Sequence, residues 1–292
     1  MTAAEKILAF LRNGFETTVF FAAVAAKENF RHYVRRAGPV GKPSDEIILL
    51  ANGPSLGDEL PRLIARGEHL HRDVLCVNYF AEDERFELVR PKYYVLSDPV
   101  FFRRRGDRER VKNLYETLDR KVSWPMTLYV QYYNPDGFDY RAAVPNPFVR
   151  IVRFHSQVYK GFPKLESACL RRGWAAANYG SVIQNGELIA MNLGYKTLHL
   201  YGVDHTFFDG LCVDGRNRLC ARRTYYYDPE PRTEPLLLTS AEPPAPYTVH
   251  SYLAEKAELF RGHEVLSRYA AGLGVRIVNH TKDSLIDCYE RA

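Results

Sequence analysis

The fold of this chain is constrained most by a recurrence: short, unbroken apolar runs that return between helical segments. The first is "EIILLA" at 46–51. "DVLCVN" (73–78), "KYYVLSD" (92–98), "MTLYVQ" (126–131), "FVRIVRF" (148–154), "TLHLYGVD" (197–204) and "VRIVN" (275–279) follow. A strand that is apolar at consecutive positions is covered on both faces, the condition of a strand inside a parallel sheet. Helical periodicity lies between several of these runs, over Gly57–Arg66, Arg103–Leu118, Ile183–Leu193 and Tyr252–Leu273. Strands alternating with helices predict an α/β fold: a Rossmann-like, doubly wound, mainly parallel sheet with right-handed crossovers. With 292 residues, 46% of them hydrophobic, the chain is long enough to bury the core such a sheet needs.

Open α/β sheets bind ligands at the carboxyl ends of their strands. The polar residues there are Asn52, Asn78, Asp98, Asp204 with His205, and Asn279. The first strand runs into Asn52-Gly53-Pro54-Ser55. Gly53 lets backbone approach a ligand, Pro54 fixes the turn, and Asn52 and Ser55 supply polar side chains. Amides of the next helix point into the same space, which suits a nucleotide phosphate or ribose. The spacing is neither the G-x-G-x-x-G fingerprint nor the Walker loop. The alternative is a plain strand-to-helix turn with Ser55 or Asp58 as cap. A second polar turn, Asn178-Tyr179-Gly180-Ser181, opens another helical segment whose amides are placed for an anion.

Two stretches stand outside the alternating pattern. Residues 1 to about 36 read as a helix with Ile7, Leu8, Phe10, Leu11 and Phe15 at helical spacing, followed by a basic Gly/Pro linker. This divides the chain into a helix and linker at 1–42 and a domain at 43–292. The helix reads either as amphipathic and peripheral on an anionic membrane, or as packed on the domain or on a second subunit. From about 207 to 248 the sequence is rich in Pro, Gly, Arg and Tyr without sustained period, as in a lid that orders over ligand. Tyr225, Tyr226 and Tyr227 lie in it. The net charge of +5 suits an anionic ligand or surface, and no nucleic-acid motif accompanies it. Five cysteines, odd in number and without C-x-x-C, fit reduced thiols and a cytoplasmic setting. The opening residues do not read as a signal peptide, and no uninterrupted apolar run approaches the ~20 residues of a membrane span.

"ANGPSL", "LCVNYF" and "YYVLSDPVFF", followed in order by "LIAMNLGYKTLHLYGVDHTFFDG", "TVHSYLAEKAELF" and "VRIVNHTKDSLID", resemble the bacterial sialyltransferases of glycosyltransferase family 42. They resemble still more the wider group with the DUF115, or MptE-like, domain found in surface-polysaccharide and flagellin-glycosylation clusters. The resemblance covers roughly residues 45 to 290. It implies an inverting transferase with a sialyltransferase-like variant of the GT-A fold. The donor would be a CMP-activated nonulosonic acid such as sialic acid, the acceptor a surface glycan or lipid-linked precursor, with no metal or other cofactor. By position, Asn52, Gly53, Pro54 and Ser55 would hold the nucleotide. Asn78 and Asp98 would contact nucleotide or sugar, Gly180, Ser181 and Ser251 would sit against the donor, and His250 would be the general base. Asp204 and His205 belong to the same catalytic group, and the three lid tyrosines would stabilise the departing phosphate.

The sequence departs from the sialyltransferases at Ser97-Asp98-Pro99 and at His205-Thr206, both closer to the wider group. Those departures admit an MptE-like pyrophosphokinase with Mg²⁺ on Asp98 and Asp204, acting on 6-hydroxymethylpterin, or a non-catalytic glycan-assembly protein. Each residue also has a plainer reading. Asn78 and Ser251 cap helices, Asp98 makes a turn before Pro99, Asp204 and His205 orient each other, His250 opens a helix, His263 is structural, and Arg103-Arg104-Arg105 is a solvated face.

Overall fold

The computed structural model describes residues 2–41, 44–103, 108–225, 228–238 and 244–292. Arg104 and Arg105 of the basic run and Tyr226 and Tyr227 of the insert lie outside the described residues. In chain order the elements are α1 (Ala3–Lys27), α2 (Tyr33–Ala37), β1 (Glu46–Leu50), α3 (Leu56–Ala65), α4 (Glu68–His71), β2 (Asp73–Val77), α5 (Phe86–Val89), β3 (Tyr93–Leu96), α6 (Arg108–Lys121) and β4 (Met126–Gln131). Then come α7 (Tyr140–Ala143), β5 (Val149–Phe154), α8 (Pro163–Arg171), α9 (Val182–Leu193), β6 (Thr197–Tyr201), β7 (Leu211–Val213), β8 (Leu219–Tyr225) and β9 (Asp228–Pro235). The chain closes with β10 (Leu237–Leu238), β11 (Ala245–Pro246), α10 (Val249–Leu273), β12 (Arg276–Asn279) and β13 (Glu290–Arg291).

Among the described residues the main sheet has eight strands in the order β13-β12-β6-β1-β2-β3-β4-β5, and its paired neighbours run parallel. The apolar runs are continuous because both faces are covered. Ile47 and Leu49 of β1 point into a core shared with Leu188 and Ile189 of α9 and Leu266 of α10. Ile48 and Leu50 point the other way, onto Leu60 and Leu63 of α3 and Leu114 and Leu118 of α6. This is the Rossmann-like doubly wound α/β fold that the alternation predicts.

The strand order fixes where a ligand binds. From β1 the chain adds β2 to β5 in one direction, then returns through α8 and α9 to lay β6 on the other side of β1. The carboxyl ends of β1 and β6 therefore flank the topological switch point. Their register pairs Leu50 with Tyr201, so the turns that follow them emerge side by side. Gly262 lets α10 lie close on the start of α9. A Cβ there would stand 2.5 Å from Tyr179 Cβ and 2.6 Å from Gln184 Nε2.

Two segments differ from expectation. The insert forms an antiparallel sheet, β7-β8-β9, and an antiparallel pair, β10-β11. Leu219, Ala221 and Leu236 pack with Tyr252 of α10 in a small core of their own. A strand such as β9, "DPEPRTEP", has no apolar alternation to announce it. The N-terminal helix is by length and composition apolar enough to cross a membrane, although no single apolar run is that long. It begins with a capping box between Thr2 and Glu5. Its far end enters the core through Phe20 and Val24, and Glu28 accepts hydrogen bonds from the Ser156 amide and hydroxyl at 2.7 Å each. Its near end leaves Leu8, Phe10 and Phe15 more than 60% exposed.

Candidate active site

The turn after β1 is built around a carboxylate from the turn after β6. Asp204 accepts from the Ser55 amide at 3.1 Å through Oδ1 and from the Ser55 hydroxyl at 2.9 Å through Oδ2. Its approach explains Gly53: a Cβ there would lie 1.8 Å from Asp204 Oδ2 and 2.5 Å from the Gly202 carbonyl oxygen. The Gly53 amide donates to that same carbonyl at 2.9 Å. Burial pushes the Asp204 carboxyl up, and the two Ser55 bonds oppose the shift. Beneath it, Glu59 accepts from the Gly202 amide at 2.7 Å and is also pushed up, mainly by burial.

Ser55 and Asp204 are thus each other's partners. Ser55 stands at the N-cap position of α3 but makes no side-chain cap bond. The amides of Leu56, Gly57 and Asp58 are spent on Gly53, Pro54 and Ser55 carbonyls, so the start of α3 does not form the expected anion cradle. Asn52 ties β1 to β2 by donating to the Val77 carbonyl at 3.1 Å, and its Oδ1 has no partner among the described residues.

Over these turns lies a cleft of about 970 Å³. Asn52, Gly53 and Pro54 line it from β1, Asn78 from β2, Asp204 and His205 from β6, and Ser181 from the start of α9. Asn78 is held at φ 50°, with its carbonyl accepting from the Tyr94 hydroxyl at 2.6 Å. Its Oδ1 is buried and has no hydrogen-bond partner among the described residues, so its acceptor capacity is open at the cleft. Gly180, at φ 120°, packs on Leu259 and turns the chain so that Ser181 opens α9 at the cleft. No side chain caps α9; the Gln184 amide is spent on the Ser181 carbonyl, and those of Val182 and Ile183 are left for an anion there. Arg222 of β8 adds positive charge to the rim and Phe207 an aromatic wall.

His205 is a buried titratable side chain of the cleft wall. It is 9% exposed at φ 53°. Its Nε2 lies 2.9 Å from Nε2 of His263. Nδ1 of His263 lies 2.9 Å from the Tyr289 hydroxyl, which donates at 2.5 Å to Oε2 of Glu187 on α9. Burial, with a smaller push from Lys256, lowers His205 to about 4. Burial and then His205 lower His263, and burial raises Glu187 to about 8. The sequence reading took His263 as structural and passed over Glu187 and Tyr289. One signal was present: Glu187 is the acid within the apolar run "ELIAM" of α9.

Other expected site residues lie elsewhere. His250 is exposed in the first turn of α10 and does not line the cleft, because Thr248 begins that helix two residues earlier. Ser251 is occupied by Thr248 in a capping box. Asp98 is exposed and accepts from the Val100 amide at 3.0 Å, capping the short 3₁₀ turn Pro99–Phe101 outside the cleft lining. Tyr225 is the last residue of β8. Among the described residues no group of three or more His, Cys, Asp and Glu side chains is gathered for a metal.

No protein-family model matches the chain, and no curated protein matches it. Among solved structures, a match is described as the structure of a MAf glycosyltransferase from Magnetospirillum magneticum AMB-1. It has 10% identity and a TM-score of 0.49, covering 87% of this chain and 34% of that one. This chain spans about a third of that protein's length.

Proposed function

We propose that this protein is an inverting glycosyltransferase that moves a nonulosonic-acid-type sugar from a CMP-activated donor to a surface glycan or its lipid-linked precursor. The observation that carries the reading is the cleft at the switch point. It is large enough for a nucleotide sugar, and the uncapped start of α9 and the cleft-lining His205 share it. The ordered sequence blocks supply the sugar class. In the reaction an acceptor hydroxyl attacks the anomeric carbon, loses its proton to the protein, and CMP departs with its phosphate charge. The α9 amides and Arg222 stabilise that charge. We assign the proton to His205 rather than to His250, since a base must lie within reach of the substrate.

The pyrophosphokinase alternative draws less support from this geometry than the transferase reading. Both Asp204 oxygens are engaged by Ser55, and Asp98 does not line the cleft. The test is thermal unfolding with CMP, CDP, UDP, GDP or ATP, each with Mg²⁺ or EDTA. At a hundred times Kd a native-state ligand adds about 2.7 kcal/mol, roughly 5–10 °C here. Stabilisation by CMP in EDTA is expected. Stabilisation by ATP alone, and only with Mg²⁺, overturns the reading.

We also propose that α1 rests on an anionic bilayer at the cytoplasmic face. Its apolar stripe is exposed, Lys6 and Arg12 lie on the same helix, and Lys160 and Lys164 flank Phe162, whose ring meets Phe10 at 5.2 Å.

A further inference from the structure

A histidine lowered to about 4 by burial is by itself a weak base at neutral pH, and His205 is such a histidine. The chain of groups behind it changes what it can do. With Glu187 ionised, the form present above about pH 8, Tyr289 donates to it, so the Tyr289 oxygen is left to accept from Nδ1–H of His263. His263 neutral and protonated on Nδ1 has a lone pair on Nε2. The only arrangement that satisfies the 2.9 Å contact is then His205 donating its Nε2–H to it. This leaves Nδ1 of His205 bare, with no partner among the described residues, on a residue that lines the cleft. Three contacts in series therefore set the tautomer of the residue at the surface from a carboxylate in the interior.

We propose that Glu187 is the terminal proton acceptor of the cleft, reached from Nδ1 of His205 through His263 and Tyr289, so that a proton is carried inward without either imidazole becoming a cation. The proposal rests on the glycosyltransferase reading only for the source of that proton, the acceptor hydroxyl. Each step moves one proton along an existing hydrogen bond. A proton bonds to Nδ1 of His205, and the Nε2 proton of His205 passes to Nε2 of His263. The Nδ1 proton of His263 passes to the Tyr289 oxygen, and the Tyr289 proton passes to Oε2 of Glu187. One proton enters, one carboxylate becomes a carboxylic acid, and every arrow in the chain has reversed. No oxidant, reductant or second reactant is required.

The surroundings favour this route over a charged imidazole. His263 and Glu187 have no exposed side-chain surface, and burial penalises a cation on His263 as it does on His205. At Glu187 the same burial favours the protonated form, and its Oε1, 3.6 Å from Nδ1 of His263, makes no hydrogen bond among the described residues. The ionisable groups that face the chain are Lys256 of α10 beside His205, the adjacent Asp204, and Tyr289 and Cys288 beside Glu187. Phe207 and Phe260 close the other sides of the His205 ring. Glu187, Tyr289 and His263 are positioning residues that act through His205.

The test needs no substrate. Long-range ¹H–¹⁵N spectra of the full chain report which nitrogen of each histidine carries hydrogen, with the two rings assigned from His205→Gln and His263→Gln. Between pH 6 and 10, wild type is expected to exchange tautomers at both rings together, with one midpoint near 8 and both rings neutral throughout. At the alkaline end His205 carries its proton on Nε2 and His263 on Nδ1, and at the acid end the reverse. Glu187→Gln and Tyr289→Phe are expected to abolish the coupled exchange. Tautomers that stay fixed in wild type, or an exchange that persists in Glu187→Gln, overturn the proposal. If the wild-type exchange is seen while CMP fails to stabilise the protein, the relay stands and the donor reading falls.

Discussion

Gly53 carries the tightest packing requirement at the site, because the Asp204 carboxylate occupies the space where any other residue would place its Cβ. Gly53→Ala must displace both that carboxylate and the Gly202 carbonyl. It is expected to cost about 3 kcal/mol or more, read from the urea midpoint. Ser55→Ala removes the bond from Ser55 Oγ to Asp204 and the hydroxyl's contact with Glu59, and is expected to cost roughly 1.5–3 kcal/mol by the same measure. At the catalytic step His205→Ala should lower transfer by 10²–10⁴-fold with CMP affinity retained. His250→Ala, at an exposed position outside the cleft, should alter neither. Equal losses in the two variants would argue for a base on α10 instead. The turn sequence put Asn52 to Ser55 and Asp204 at strand ends of a parallel sheet, where polar residues gather. It did not show that Ser55 and Asp204 are partners, because 149 residues separate them and only the β1–β6 pairing makes them neighbours. His250 was favoured over His205 by position in a motif, and burial, which distinguishes them, is not written in either residue's neighbours.

Among the elements, the seven apolar runs each became a strand of the main sheet because burial on both faces writes itself into consecutive residues. The strands of the insert were not legible. Their cross-strand partners are held by backbone bonds and a small core on α10, with Pro and Arg along their length. The helix α1 is intermediate: its capping box and stripe are plain in the sequence, but which half of the stripe is buried is decided by the contact of Phe20 with Tyr159 far along the chain. That division gives a prediction. Leu8→Glu with Phe15→Glu alters exposed positions only and should leave the thermal midpoint near wild type. It should remove binding to sedimented vesicles containing phosphatidylserine, since each exposed large side chain contributes about 1.5–3 kcal/mol when buried in lipid. Wild-type protein that stays in the supernatant at low salt excludes the bilayer as the partner of α1.

For the whole molecule, the buried histidines and the buried acids pull stability in opposite directions with pH. His205 and His280 are lowered to about 4, each chiefly by burial, and burial holds His263 well below the usual histidine range. Their unfolded values lie near 6.5, so between pH 6.5 and 4 the unfolded chain binds more protons. Their contribution is complete above 6.5 and is lost as pH falls. A shift of the His205 size amounts to roughly 3 kcal/mol by pH 4, and less for the half-exposed His280. Glu187 is raised to about 8 from an unfolded value near 4.5, so here the folded chain binds the extra proton. Its contribution is complete below 4.5 and is lost as pH rises to 8. Asp204, Glu59 and Glu166 are raised as well and act in the same sense from their own unfolded values upward. On the acid side several histidines oppose these carboxyls. Between 6.5 and 8 the histidines have finished titrating and Glu187 still declines. The urea midpoint of wild type is therefore expected to be greatest near pH 6.5, falling steeply toward 4.5 and gently toward 8. Glu187→Gln should flatten the alkaline side and steepen the acid side, because the loss that it removes runs over the whole interval from 4.5 to 8 and opposes the histidines below 6.5. An alkaline decline that survives in Glu187→Gln would place the responsible proton on another residue and would count against a carboxylate at position 187 that titrates near neutral pH.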